Sequence, residues 1–135
     1  MLEIRYVQSE DKEFWYNLDK HLPEQEFYNK VRDKRGYVLL DENRPVGLLR
    51  YNLFWDNTPF INMLYIKNSY QRNGYGKELV HFFETEMKLL GYSNVMTSTQ
   101  INEVGKFFWK SVGYKEIGSF ILEGDPKELI FNKQL

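Results

Sequence analysis

Phe60-Ile-Asn-Met-Leu-Tyr-Ile-Lys-Asn-Ser-Tyr-Gln-Arg-Asn-Gly-Tyr-Gly-Lys77 passes from a strand-like apolar run into a polar loop that carries two glycines. The helical spacing of Tyr75 to Leu90 follows directly. A strand, a tight loop and a helix in that order make a junction suited to an anion. Glycines at 74 and 76 let the backbone approach a ligand closely, and the first N–H groups of a helix have no internal acceptor. Phosphate oxygens suit such donors, the helix dipole adds attraction, and Arg72 and Lys77 bring full positive charge. Two other phosphate loops do not fit. A Walker loop places Gly at 71 and Ser or Thr at 78, where this chain has Gln71 and Glu78. A dinucleotide fingerprint places a third Gly where Leu79 stands, and it follows a strand of a parallel unit. A Gly-x-Gly alone is often no more than a tight turn, so the rest of the chain has to decide the ligand.

Upstream of the junction, Leu2 to Val7 alternates like a half-buried strand, and Ser9 offers an N-cap oxygen to a helix over Glu10 to Lys20. Pro23 suits a first helical turn, and Phe27, Tyr28 and Val31 carry helical spacing through Glu24 to Lys34 until Gly36 breaks it. Tyr37 to Asp41 reads as a strand that ends in the turn Glu-Asn-Arg-Pro, and the next strand runs from near Pro45 through Trp55. Asp56-Asn-Thr-Pro59 has the chemistry of a hairpin connection into Phe60 to Lys67. Three strands joined by short turns predict an antiparallel meander. Downstream, Leu79, Val80, Phe82, Phe83, Met87 and Leu90 form the apolar side of a helix that Gly91 stops. Asn94 to Thr99 is the next strand, about Glu103 to Ser111 another helix, and Tyr114 to Leu122 and Lys127 to Asn132 two closing strands. The prediction is one α/β domain over residues 1–135, in the order βααβββαβαββ. Its central sheet is mixed but mostly antiparallel, with about seven strands, about four flanking helices, and a parallel pair around the central helix.

Gln71-x-x-Gly74-x-Gly76, directly after a strand, resembles the pyrophosphate-binding motif of the GNAT superfamily of N-acyltransferases. Asn102-x-x-Gly105-x-x-Phe108-Trp109-x-x-x-Gly113-Tyr114 resembles that superfamily's Asn-x-x-Ala-x-x-Phe-Tyr-x-x-x-Gly-Phe segment. The two stand in the family's order and cover about Phe60 to Tyr114. The resemblance implies the family's fold, with acetyl-CoA as acyl-donor cosubstrate and no metal. It also implies that Gln71 and the backbone of Arg72, Asn73, Gly74, Tyr75, Gly76 and Lys77 hold the pyrophosphate. The backbone around Leu64, Tyr65 and Ile66 would then pair with the pantetheine arm, opposite a neighbouring strand at Val95 to Thr99. Asn102 matches a position that reaches the pantetheine, and it equally suits a helix N-cap. Trp109 matches the residue beside the thioester sulfur.

Acyl transfer to an amine needs a neutral amine, a polarised carbonyl and a leaving thiolate that is stabilised or protonated. A lysine-like amine has a pKa of about 10.4, so the site must desolvate it or take its proton. A backbone N–H near Ile66 suits the carbonyl. Many family members have Tyr where this chain has Trp109, but an indole N–H is no acid at accessible pH. The strand on which relatives often carry Glu has Asn62 instead, which is suited to ordering a water. The catalytic candidates are therefore Trp109, Asn62 and Tyr114, with Tyr65 as a further phenol. His21 falls between the first two helices, in a region that resembles the family's acceptor-binding loop. Glu24 nearby suits a cationic acceptor and Arg50 an anionic one, and for each the alternative is ordinary surface polarity. His81 shares the polar face of its helix with Glu78, Thr85 and Lys88 and reads as solvated.

Composition narrows the field further. The 135 residues are 42% hydrophobic and 27% charged, and no apolar run approaches the ~20 residues of a membrane span. With 18 Lys+Arg against 19 Asp+Glu, there is no large positive field to attract nucleic acid. Without cysteine there is no disulfide or acyl-cysteine intermediate, and two histidines leave little for a metal site. The N-terminus shows no signal-peptide pattern, so a cytoplasmic setting is expected. Alanine is absent and aromatics reach 17%, so large rings must build the core. The two closing strands leave an apolar edge, from which a homodimer is expected. The function these features predict is N-acetylation, by direct attack in a ternary complex, of a primary amine on a small molecule or peptide. A noncatalytic acyl-CoA-binding or sensing domain is the alternative, motivated by Trp109 and Asn62, and a phosphate-binding module unrelated to CoA ranks last.

Overall fold

β1 (Leu2–Tyr6) is an edge strand, and the chain then makes a 3-10 turn (Ser9–Asp11) before α1 (Lys12–Leu18) and α2 (Glu24–Asp33). The meander follows as β2 (Gly36–Asp41), β3 (Arg44–Phe54) and β4 (Thr58–Ile66). After a second 3-10 turn (Asn68–Tyr70) come α3 (Tyr75–Leu89), β5 (Asn94–Gln100), α4 (Gly105–Ser111), β6 (Lys115–Phe120) and β7 (Glu128–Gln134). The structure, a computed structural model, describes residues 1–135. Seven strands form one mixed sheet in the order β1-β2-β3-β4-β5-β7-β6, so the fold class and the order of elements are as expected. β4 and β5 pair in parallel at Phe60 with Met96 and at Ile61 with Thr97. A parallel pair needs a crossover, and α3 is the long element between these two strands. No helix is long and apolar enough to cross a membrane.

Contacts gather into two compact units, each with its own packing. The first holds residues 1–52 and 63–83. Its core joins Val7 of the loop after β1 and Trp15 of α1 to Phe27 of α2, with Val38 and Leu40 of β2 and Leu48 of β3. Tyr37 is fully buried and meets Phe82, Phe83 and Tyr51 ring to ring, which is how a chain without alanine fills this layer. α2 ends at Lys34, which adopts φ +57, and Gly36 opens β2. The sequence reading gave Gly36 the role of helix breaker. Its actual constraint is space, since a Cβ there would lie 2.8 Å from Val7 and 3.2 Å from Trp15. Pro45 sits at a register shift between β2 and β3, a place where a strand tolerates the missing N–H.

The second unit holds residues 53–62 and 84–135. β5 alternates buried Val95, Thr97 and Thr99, and it pairs along its length with β7, where Leu129 and Phe131 are buried. β6 lies at the outer edge against β7, with every residue exposed. Two boundaries differ from expectation. The hairpin into β4 turns at Trp55 and Asp56, both at positive φ, one residue before the expected Asp56-Asn-Thr-Pro59. α4 starts at Gly105, because Gln100 to Val104 is spent on a turn in which the Glu103 N–H bonds the Gln100 carbonyl.

Candidate active site

The strand–loop–helix junction lies within the first unit. Gln71 locks its base, donating through Nε2 to the Ile66 carbonyl at 2.7 Å and to Asn68 Oδ1 at 3.1 Å. This ties the loop to the end of β4, where Ile66 is buried and Leu64 and Tyr65 are half-buried. Arg72 and Gly74 adopt φ +67 and +80, while Asn73 between them does not share that hand. Alternating hands turn successive N–H groups toward one side, forming a concavity that suits an anion. The N–H groups of Arg72, Asn73, Gly74, Tyr75, Gly76 and Lys77 donate to no acceptor in the chain, and the first backbone bond of the helix is from Glu78 to the Gly74 carbonyl at 3.0 Å. Arg72 and Lys77 are exposed beside this run of donors. The Tyr75 side chain serves as an anchor. Its hydroxyl bonds Asp41 Oδ2 at 2.8 Å, which raises the phenol's pKa, and its ring stacks on Tyr70. Tyr65 points its hydroxyl toward Asn68 at 3.4 Å.

The three expected acceptor residues also belong to this unit. Arg50 Nε bonds Asp19 Oδ2 at 2.7 Å, and Asp19 is wholly buried, accepting in addition from Trp15 Nε1 and the His21 N–H. Arg50, expected to suit an anionic acceptor, thus has an internal counter-ion. A buried carboxylate needs such partners, and Arg50 is the charged one. The His21 ring is on an exposed residue. Glu24 pairs with Lys12 at 2.9 Å and, with Lys12, Glu13 and Tyr16, lines a cavity of about 510 Å³.

In the second unit the structure brings Trp109 and Tyr114 together, their rings edge-on at 5.0 Å. Trp109 is 6% exposed. Tyr114 donates its hydroxyl to Glu84 Oε2 at 2.8 Å. Burial first, and then the charge and hydrogen bond of Glu84, push its ionisation far above the ordinary tyrosine value. The Tyr114 hydroxyl, expected as a catalytic candidate, is thus engaged by Glu84. Asn62 is exposed next to the β4–β5 pair at Ile61 and Thr97. Asn102 is exposed in the turn before α4 and is not its N-cap, a position held by Val104. Gly105 stands where the family motif has Ala, and a Cβ there would lie 3.0 Å from Thr99 Oγ1. Glu84 and Lys133 were missed by the sequence reading. The one signal for Glu84 was its place on the buried stripe, four residues after Val80 and three before Met87.

Comparison with known proteins agrees with this fold. Among curated proteins none matches the chain. Ard1 from Thermoplasma volcanium superposes with a TM-score of 0.88 at 13% identity, over 99% of this chain and 97% of that one. The ribosomal-protein-S18-alanine N-acetyltransferase from Escherichia coli gives 0.82 at 16% identity, over 99% and 94%. Arabidopsis thaliana Naa50, in complex with the bisubstrate analogue CoA-Ac-MVNAL, gives 0.80 at 13% identity, over 99% of both chains. The model of the acetyltransferase (GNAT) family matches residues 4–114, a span that takes in the donor loop and the Trp109–Tyr114 corner. With fold, loop and family match in agreement, the chain belongs to the acetyltransferase (GNAT) family of acyltransferases.

Proposed function

We propose that the protein transfers the acetyl group of acetyl-CoA to a primary amine of a small molecule or peptide by direct attack in a ternary complex. The observation that carries this reading is the run of six N–H groups from Arg72 to Lys77 with no acceptor of their own. A pyrophosphate offers oxygens to such donors, and the dipole of the 15-residue α3 and the charges of Arg72 and Lys77 add to the attraction. With the acyl donor held there, the amine nitrogen attacks the thioester carbonyl, the C–N bond forms and the C–S bond breaks. The thiolate departs with CoA, and the ammonium proton passes to water. A free thiol has a pKa of about 8.5, so departure without an acid is feasible near neutral pH. Proximity of two bound substrates then supplies most of the acceleration. That route needs no phenol, in a chain that has Trp109 where the family's motif has Tyr and in which Tyr114 is engaged by Glu84.

The test is release of CoA thiol from acetyl-CoA with a panel of amines, polyamines and peptides, read with a thiol-reactive dye. With no cysteine in the chain, the dye reports product alone. Amine-dependent release supports the acetyltransferase reading. The same two departures, Trp109 and Asn62, favour a second reading as an acyl-CoA-binding or sensing domain. No release with any amine, while acetyl-CoA still binds, would move the assignment there. A Trp109→Tyr variant that gains orders of magnitude in turnover would mark a decayed catalytic site.

A further inference from the structure

β6 is an edge strand whose apolar side chains its own chain leaves bare. The register with β7 sets Glu116 opposite Phe131 and Ser119 opposite Leu129, so the two buried residues of β7 face polar neighbours. The large apolar side chains fall elsewhere. Phe120 stands opposite Glu128, Ile117 sits at the register shift with no β7 partner, and Ile121 and Leu122 follow where the chain leaves the strand. These four are between 46% and 70% exposed and crowd into one short stretch, whereas a lone exposed apolar residue is ordinary. No backbone group of residues 115–121 bonds beyond the β6–β7 ladder, so the outer edge of the strand keeps its donors and acceptors free.

The same stretch carries opposite charges at its ends. Lys115 opens it and Glu123 closes it, and neither makes an ion pair within the chain. Such a segment is complementary to itself when two copies run antiparallel. With Ser119 opposite Ser119 of a second copy, Lys115 opposes Glu123, Ile117 opposes Ile121, and the ring of Phe120 covers Gly118. Only Glu116, opposite Leu122, lacks a matched neighbour. We propose that β6 is a self-association surface, at which two copies of this chain pair edge to edge and antiparallel about a twofold axis at Ser119. The pairing is closed, since each copy uses its free edge once. The ladder is short, bounded by the bulge at Ile117 and by the departure of the chain at Ile121, so the dimer forms at micromolar concentration. This inference is independent of the acetyl-CoA reading.

The experiment is sedimentation equilibrium on the full chain from about 1 to about 200 μM, where a single monomer–dimer equilibrium is expected. Lys115→Glu or Glu123→Lys sets like charges opposite one another twice and should weaken the dimer about tenfold. The double exchange should return it to within about twofold of wild type. Both positions are exposed, so neither change disturbs packing within the chain. Because the chain has no cysteine, Ser119→Cys carries the only thiol, and residues opposite one another in an antiparallel pair lie at disulfide distance. Mild oxidation should link that variant into a dimer and leave Glu116→Cys, about 20 Å from its own copy across the axis, unlinked. Monomer throughout the range, or a mass that climbs past the dimer with concentration, overturns the proposal. So does a dimer that ignores both charge exchanges and leaves Ser119→Cys unlinked, because the copies then meet elsewhere.

Discussion

Gly74 is the residue at which conformation and function meet most directly. It holds φ +80, and a Cβ built there meets nothing within 4 Å, so a larger side chain would be strained by its backbone and by nothing else. Gly74→Val should therefore lower stability by about 1–2 kcal/mol, the cost of the left-handed conformation for a β-branched residue. It should weaken acetyl-CoA binding by more than that loss, since relaxation of the loop scatters the donors from Arg72 to Lys77. Gly74→Asn tolerates positive φ and should keep most of both. Calorimetric titration beside a denaturant melt separates the two effects, and equal affinity in the valine variant would show that the loop does not hold the donor. The need for a glycine here was visible in the sequence. That Arg72 shares the positive φ was not, because no arginine advertises it.

At the scale of elements, one segment is held by a charge and another by a strained turn. Asp11 closes the 3-10 turn after β1, accepting the Gln8 N–H at 2.7 Å and both terminal nitrogens of Arg5 at 2.8 and 3.0 Å. Burial pushes its carboxyl up, but the Arg5 guanidinium and the Gln8 N–H outweigh burial and hold it below the usual carboxylate range. A folded pKa below the unfolded one gives stability that is present above the unfolded value and lost as pH falls through the folded one. Asp11→Asn should thus cost about 2 kcal/mol at neutral pH. The gap between variant and wild type should close in acid. Denaturant midpoints measured across that range test the sign, and a constant gap would mean that charge is not the cause. The β3–β4 hairpin turns at Trp55 and Asp56 with φ +55 and +64, a pair of conformations that Asn-Gly adopts at far lower cost. Replacing the pair by Asn-Gly should raise stability by about 1 kcal/mol, read as a shift in denaturant midpoint. The sequence located this hairpin by its turn chemistry, and α1 and α2 by spacing together with Ser9 and Pro23. It misplaced the turn by one residue and began α4 early, because both ends are set by bonds the chain makes to itself once folded.

For the whole molecule, the expected consequence of the donor loop is linkage. A ligand that binds only the folded chain stabilises it by about 2.7 kcal/mol at a hundredfold excess over Kd. Acetyl-CoA at that level should then raise Tm by roughly 8–11 °C for a chain of this size, and inorganic pyrophosphate by less. No shift with acetyl-CoA would count against the donor site. The order of elements, the crossover through α3 and the strand–loop–helix junction were all legible in the sequence, because each depends on residue type and on neighbours within one turn or one strand. Residues 71–77 owe their shape to their own backbone and to Gln71, which a local motif is able to encode. Only the tertiary structure gave Arg50 its counter-ion in Asp19, 31 residues away, or Tyr114 its partner in Glu84, 30 residues back. Lys133 reaches the same carboxylate across 49 residues. Such pairings follow from packing of sheet against helix and have no period along the chain, so side chains of the same type read alike in the sequence and differ only once the fold has chosen their neighbours.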